Sequence, residues 1–376
     1  MKKKLLKNLL ICSFIACLST TVTNCSSDSV EGLDTNATTE NATAENVNKN
    51  NLTSRGGELA GTVTVSSGTF TAKVNGVTKY TGTDYVAAIQ AAINGLTASR
   101  DVKEWVTISA SGASGSTGGA LKFINLPSYT GLDFKNNTFN ANSGDALVIP
   151  ISADRKTNIE VKNLKVTGKP RYGIWFKGCT TMAISNITMN IGVPATDLGL
   201  GIRVDNSTAA TSGLTISGTI NITGGDNSIE TYGVDGFSIG NVTSSNNAAC
   251  GVLLNKSKNG SVGTVTGTNN STTGSVTGYA IFRCANSNGP NVTCAKVYSR
   301  GSGRGFFSVT GSNGCTVNTV DIASTKIQGI LIQDSSNTKV LAGTVTGGNP
   351  NVQHQNATSC STKVNGQTYT AVNGIW

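Results

Sequence analysis

Short apolar runs recur along the middle of the chain at a nearly constant interval. Set beneath one another they are ALVIPI from 146, GIWFKG from 173, GIRVDN from 201, SIETYG from 228, GVLLNK from 251, GYAIFR from 278, GFFSVT from 305 and GILIQD from 329. Their starts lie 27, 28, 27, 23, 27, 27 and 24 residues apart. Second segments such as MAISNITMN and CTVNTVDIAS follow many of them, rich in Val, Ile and Thr and bounded by Gly, Asn and Ser, as strands are. Two or three short strands per repeat of this length predict an all-β, single-domain parallel β-helix, each coil stacked on the one before. With the first residue of each run as position zero, position one reads Leu147, Ile174, Ile202, Ile229, Val252, Tyr279, Phe306 and Ile330. Position three reads Ile149, Phe176, Val204, Thr231, Leu254, Ile281, Ser308 and Ile332. A period of two assigns these columns to the interior and positions two, four and five to the outside or the turn.

One segment breaks the strand pattern. In DYVAAIQAAINGL (84–96), Val86, Ile89, Ile93 and Leu96 fall on one helical face, with Asp84 placed to cap the start and Gly95 to end it. A solenoid has an apolar end that must be covered, so this is the expected N-terminal capping helix, and 351–376 are expected to close the other end. The coils at about 146–350 then sit within a domain spanning 56–376.

Ahead of that domain the pattern differs. MKKKLLKN followed by LLICSFIACL and STTVTN, residues 1–24, has the basic start and short apolar stretch of an export signal, too short to span a bilayer. Cys25, followed by SSDSVEG, looks like the lipid-attachment cysteine of a bacterial lipoprotein, with Cys17 as a second candidate. Residues 25–55 are polar, rich in Asn and Thr, and predict a flexible tether. An outer-membrane or cell-surface lipoprotein, or a secreted protein, is the expected destination, and the lipid is the expected membrane partner.

Charge separates along the same boundary. Of the formal +9, Lys2, Lys3, Lys4 and Lys7 carry four, and the tether sets five acids against Lys49 and Arg55, which leaves the remaining domain at +8. A basic domain suggests a polyanionic partner. No basic run or aromatic-basic module points to nucleic acid. Six cysteines fall in the domain (Cys179, Cys250, Cys284, Cys294, Cys315, Cys360) with no C-x-x-C pair, so they are expected to be small buried apolar residues, with a disulfide left open. His354 is the only histidine, which argues against a Ser–His–Asp triad and excludes a site built on several histidines.

The outward positions of the central coils are the richest in chemistry. They read Trp175 and Lys177, Arg203 and Asp205, Glu230 and Tyr232, Asn255 and Lys256, then Arg283. Tyr298, Arg300 and Arg304 in YSRGSGRGFF are expected to line one edge of the same groove, where an arginine fork pairs with a carboxylate. Such a groove suits a chain of acidic sugars. β-Elimination of a uronic-acid polymer needs a neutralised carboxylate, a base for the C5 proton and an acid for O4. Arg283 or Arg203 could neutralise; Lys256 and Tyr232 could serve as base and acid in either order, with Glu230 and Asp205 orienting the cations or binding sugar hydroxyls, and Trp175 stacking on a sugar.

Three stretches, ETYGVDGFSIG (230–240), GYAIFRCANSNGPNV (278–292) and SRGSGRGFFSV (299–309), resemble bacterial right-handed β-helix polysaccharide lyases, most of all the alginate lyases of polysaccharide lyase family 31. The resemblance covers about 230–340. It implies a right-handed, pectate-lyase-like helix and a lyase working through a Lys/Tyr pair, carried onto Lys256 and Tyr232. Other lyases of this shape use calcium held by clustered acids; Asp205 and Glu230 alone support that weakly, so no cofactor is expected. A glycoside hydrolase using Asp205, Asp226, Glu230 or Asp235, and a non-catalytic surface adhesin, are the alternatives. A monomer is expected.

Overall fold

The computed structural model describes residues 59–142, 147–192, 199–271 and 279–376; the expected export signal, the candidate lipid site Cys25 and the expected tether lie outside them. The domain is a β-solenoid of about ten turns. Among the described residues, one side is an eleven-stranded sheet and the rest of the wall a nineteen-stranded sheet. The eleven strands follow one another in space in their order along the chain, from Lys122–Asn125 through Tyr172–Lys177, Val252–Asn255 and Ile330–Ser336 to Gly374–Ile375. All pair in parallel except the last, which is antiparallel.

The pleat forms two interior columns. Position one of the eleven-stranded sheet is Ile151, Ile174, Ile202, Ile229, Val252, Phe282, Phe306, Ile330 and Val352. Position three is Ala153, Phe176, Val204, Thr231, Leu254, Cys284, Ser308, Ile332 and His354. Every one of these residues is buried. Each buried Ile, Leu or Phe contributes roughly 1.5–3 kcal/mol, and the stacking of equals upon equals gives ring contacts such as Phe282–Phe306, with centroids 5.7 Å apart.

Two coils depart from the sequence alignment. Ile174 pairs with Ile151, not with Leu147, and Val252 pairs with Phe282, not with Tyr279. For the second, the recurring glycine explains why. At Gly173, Gly201, Gly251 and Gly329 a Cβ would stand 2.5–2.7 Å from a carbonyl oxygen of the next coil, so glycine marks a corner where backbones approach closely. In the coil of GYAIFRC the corner residue opposite Gly251 is Ile281, whose side chain occupies space that a Cβ on Gly267 would fill. The register therefore moves by three residues, an odd number, and exchanges inside for outside.

Both ends are closed as expected. The helix spans Tyr85–Asn94; Asp84 Oδ1 accepts from Ala87 N at 3.0 Å, and Gly95 N donates to Ala91 O. Its buried face (Tyr85, Val86, Ala88, Ile89, Ala92, Ile93) packs on an antiparallel meander of Leu59–Ser66, Thr69–Val74 and Val77–Gly82. That meander was not read from the sequence, although its Ser67-Gly68 and Asn75-Gly76 turns, with positive φ at both residues, are the standard hairpin signal. At the other end, Trp376 exchanges backbone hydrogen bonds with Val352 and packs edge-on to His354, whose ring nitrogens meet Ala371 O and Thr362 Oγ1. The six cysteines are buried and free, with Cys284 and Cys315 sulfurs 3.3 Å apart.

Candidate functional site

The outer face of the eleven-stranded sheet carries most of the side chains singled out above, on rungs about 4.8 Å apart. Position two along this face is Ser152, Trp175, Arg203, Glu230, Leu253, Arg283, Phe307 and Leu331. Position four is Asp154, Lys177, Asp205, Tyr232, Asn255 and Ala285. Three groups of contacts divide the face.

The first is packed upon itself. The Trp175 ring lies 4.6 Å from Tyr172, its Nε1 donates to Asp205 Oδ2 at 2.7 Å, and Lys177 Nζ sits 4.5 Å over it while pairing with Asp154 at 3.3 Å. Trp175 is thus tied down at its edge and covered by a cation, and is not the free stacking platform its exposure in sequence suggested.

The second is a relay of polar contacts. Arg203 bridges Asp205 (2.7 Å) and Glu230 (3.2 Å); Asn255 Nδ2 donates to Glu230 Oε1 at 3.1 Å, and Asn286 Nδ2 to Asn255 Oδ1 at 2.8 Å. Asp205 and Glu230 are only 1 % and 8 % exposed. Burial alone would raise the Asp205 pKa, but hydrogen bonds from Ser207, Arg203 and Trp175 outweigh it and hold the carboxyl below its ordinary value. Burial wins at Glu230, pushing its pKa up against the opposing pull of Arg203 and Asn255. Arg203 therefore has its charge met by two carboxylates, and the neutralising role open to it is filled from within. Beside this relay, Lys256 Nζ lies 5.5 Å from the Tyr232 ring centroid. Tyr232 is half-buried and Lys256 exposed.

Lys256 also has an unusual backbone. Its φ of 48° puts it in the left-handed region, where residues with a Cβ stand at a cost of roughly 1–2 kcal/mol. Most equivalent turn residues of other coils are left-handed too: Gly178, Gly233, Asn286, Asp334 and Asn356 are types that tolerate the conformation, while Arg155 and Thr310 adopt it as Lys256 does.

The third group is one the sequence alignment scattered. Because of the three-residue shift, Arg283 stands opposite Leu253 and not beside Lys256. Its guanidinium lies 4.6 Å from the Tyr279 ring and 5.1 Å from the Phe307 ring, and Arg304 is 4.7 Å from that same Phe307 ring. Cys250, Leu253, Ala280, Phe307 and Leu331 form an apolar floor beneath them, separate from the interior core. Burial pushes the Arg304 pKa down to about 10, and the neighbouring Arg283 charge adds to the shift. Among the described residues no carboxylate pairs with either arginine.

Tyr298 and Arg300 do not join this face. They belong to the strand Val292–Arg300 of the nineteen-stranded sheet, where Arg300 pairs with Asp321 at 2.7 Å and lies 4.0 Å over the Tyr298 ring. The turn between Arg300 and Arg304 carries the chain from one sheet to the other, so two arginines four residues apart diverge. Asp235 likewise sits on the nineteen-stranded sheet, paired with Lys258 at 3.3 Å. Tyr279, Phe307 and Asn286 were missed, the first because its column was misaligned. Among the described residues no three His, Cys, Asp or Glu side chains converge in a way that could hold a metal ion.

The chain matches no protein-family model, and no curated protein or solved structure is found to be similar to it. The family likeness therefore rests on the three quoted stretches, and function has to be argued from the face itself.

Proposed function

We propose that the outer face of the eleven-stranded sheet binds an acidic polysaccharide, and that Tyr232 and Lys256 cleave it by β-elimination, with alginate the favoured polymer. The observation that carries this reading is the contact of a phenol and an ammonium, 5.5 Å from ring centroid to Nζ, on adjacent coils of a parallel β-helix. Asn255 pairs with Tyr232 in the ladder and directly precedes Lys256, and its amide is held by Glu230 and Asn286. The two reacting groups are thus mounted on adjacent rungs joined at the pinned Asn255, as positioning for proton transfer requires.

The elimination removes the C5 proton of a uronate, breaks the C4–O4 bond and protonates the departing O4. Charge that builds on the carboxylate during this step needs a cation. Arg203 is engaged by two carboxylates, and the Arg283 backbone stands roughly 12 Å from that of Tyr232, two rungs across and two residues back. Lys256 is the cation in contact with Tyr232. That favours an arrangement in which the ammonium neutralises the carboxylate and the phenol exchanges the protons, with the reverse assignment of base as the alternative. The export signal and Cys25 favour a lipid-anchored protein at the bacterial surface, where such polymers are met.

Incubation of the purified protein with alginate, polyglucuronate and pectate, followed by the ultraviolet absorbance of the new C4–C5 double bond, tests the reading. Tyr232→Phe and Lys256→Ala should each lower the rate by about 100-fold or more. If the parent protein yields no unsaturated ends from any of the three, the lyase reading is refuted. A second reading, a non-catalytic glycan binder, is favoured by the arginine–aromatic group around Phe307, which needs no reaction to have a use. A hydrolase finds less support, because the oxygens of Asp205 are taken up by Trp175, Arg203 and Ser207.

A further inference from the structure

We propose that Arg283 and Arg304 form a binding subsite for an oxyanion carried on a sugar ring, distinct from the Tyr232–Lys256 pair. Two guanidinium groups share one aromatic floor at Phe307, 5.1 and 4.7 Å from its centroid; the Tyr279 ring lies 4.6 Å from Arg283, and Arg304 Nε donates to Gln328 Oε1 at 2.9 Å. Phe307 is itself almost wholly buried, so it fixes where the two charges stand. Like charges at this range repel, and among the described residues no acid offsets them. Moreover, Arg283 Nε is buried without an oxygen or nitrogen partner, and the soft Cys250 thiol is the polar group beside the guanidinium, although arginine donors removed from water ordinarily find a stronger acceptor.

An oxyanion reaching between the two arginines would meet the charge that no acid offsets. It would accept hydrogen bonds from planar forks suited to carboxylate or sulfate and cancel the repulsion. The apolar surface around it, Leu253, Leu331 and the Tyr279 ring, suits the carbon face of a sugar. Arg283 pairs with Leu253 while Tyr232 pairs with Asn255, so the subsite is displaced along the strands as well as across rungs. The sugar it holds is therefore not the one whose bond is broken but a neighbour on the same chain. The inference rests on the polysaccharide reading for its ligand and does not depend on cleavage.

Affinity electrophoresis of the purified protein through gels containing polyuronate, sulfated dextran or neutral glucan tests it, with Arg283→Gln, Arg304→Gln and the double variant compared at equal thermal stability. Each single change should weaken retention by a charged polymer about tenfold, the effect of one charge-assisted hydrogen bond, and the double variant more. Retention by polyuronate alone identifies a carboxylate; retention by both charged polymers identifies any oxyanion. Arg283→Lys, which keeps the charge without the fork, should recover only part of the loss. Should the double variant not fold, free glucuronate and free sulfate must raise the melting temperature of the parent but not of Arg304→Gln. Retention of the double variant within twofold of the parent overturns the subsite, as does an equal loss on neutral glucan. If the parent makes no unsaturated product yet loses retention with the arginines, the lyase reading falls and the subsite stands. If product forms and the variants raise KM while kcat holds, both stand.

Discussion

Lys256 occupies a backbone conformation that its own side chain disfavours. Most equivalent turns in other coils use Gly, Asn or Asp there, so the lysine is kept at a cost to the fold, and strain of this sort gathers at working sites. Lys256→Asn should leave thermal stability unchanged or raise it by up to about 1 kcal/mol, while removing product formation. A calorimetric scan and an elimination assay on the same variant check both halves. A fall in stability would mean that the lysine has a structural task. Glu230 makes the complementary case: burial, not its ion pair, sets the direction of its shift. Its carboxyl is best read as a buried anchor for Arg203 and Asn255, not as a group that meets substrate.

At the scale of the element, glycine corners and the capping helix decide the most. The helix rests on one N-cap: Asp84 accepts from Ala87 N and also pairs with Lys122 at 3.1 Å. Asp84→Ala should lower stability by about 1 kcal/mol, read as a shift of the denaturant midpoint at constant slope. Stacked aromatics argue the same way inside the sheet. Phe306→Ala would open a cavity beside Phe282, and should cost about 3–5 kcal/mol. Because Phe307 on the opposite face of that strand sets the two arginines, the same variant should loosen the subsite outside.

Across the whole molecule, each coil touches mainly its neighbours, so the ends govern how the stack opens. His354 closes the C-terminal end, buried between Thr362 and Ala371 O with Trp376 against it. Burial lowers its pKa below 6.5, and the Ala371 bond opposes this only in part. The unfolded chain then binds the proton more readily than the folded one, so stability is complete above pH 6.5 and falls as pH drops below it. The melting temperature should decline between about pH 7 and pH 5, and His354→Gln should flatten that decline. A domain of +8 also implies long-range attraction of polyanions. Raising salt from about 0.05 to 0.5 M shortens the screening length from about 14 to about 4 Å, so polyuronate retention should weaken severalfold.

The stacking period, the interior columns of most coils and the helix with its Asp84 cap were legible in the sequence, because each is a local pattern repeated or bounded by residues of special geometry. Tyr232 and Lys256 were legible as neighbours for the same reason, since their coils share an unbroken register. The place of Arg283 was not: GYAIFRC is apolar at nearly every position, and only packing of Ile281 against Gly267 decides which residues turn inward. Nor could spacing alone send Arg300 to one sheet and Arg304 to the other, since a corner lies between them. Sequence thus fixes what repeats along the chain. The tertiary structure decides register and corners, where a shift of an odd number of residues moves a charge from the furrow's edge to its centre.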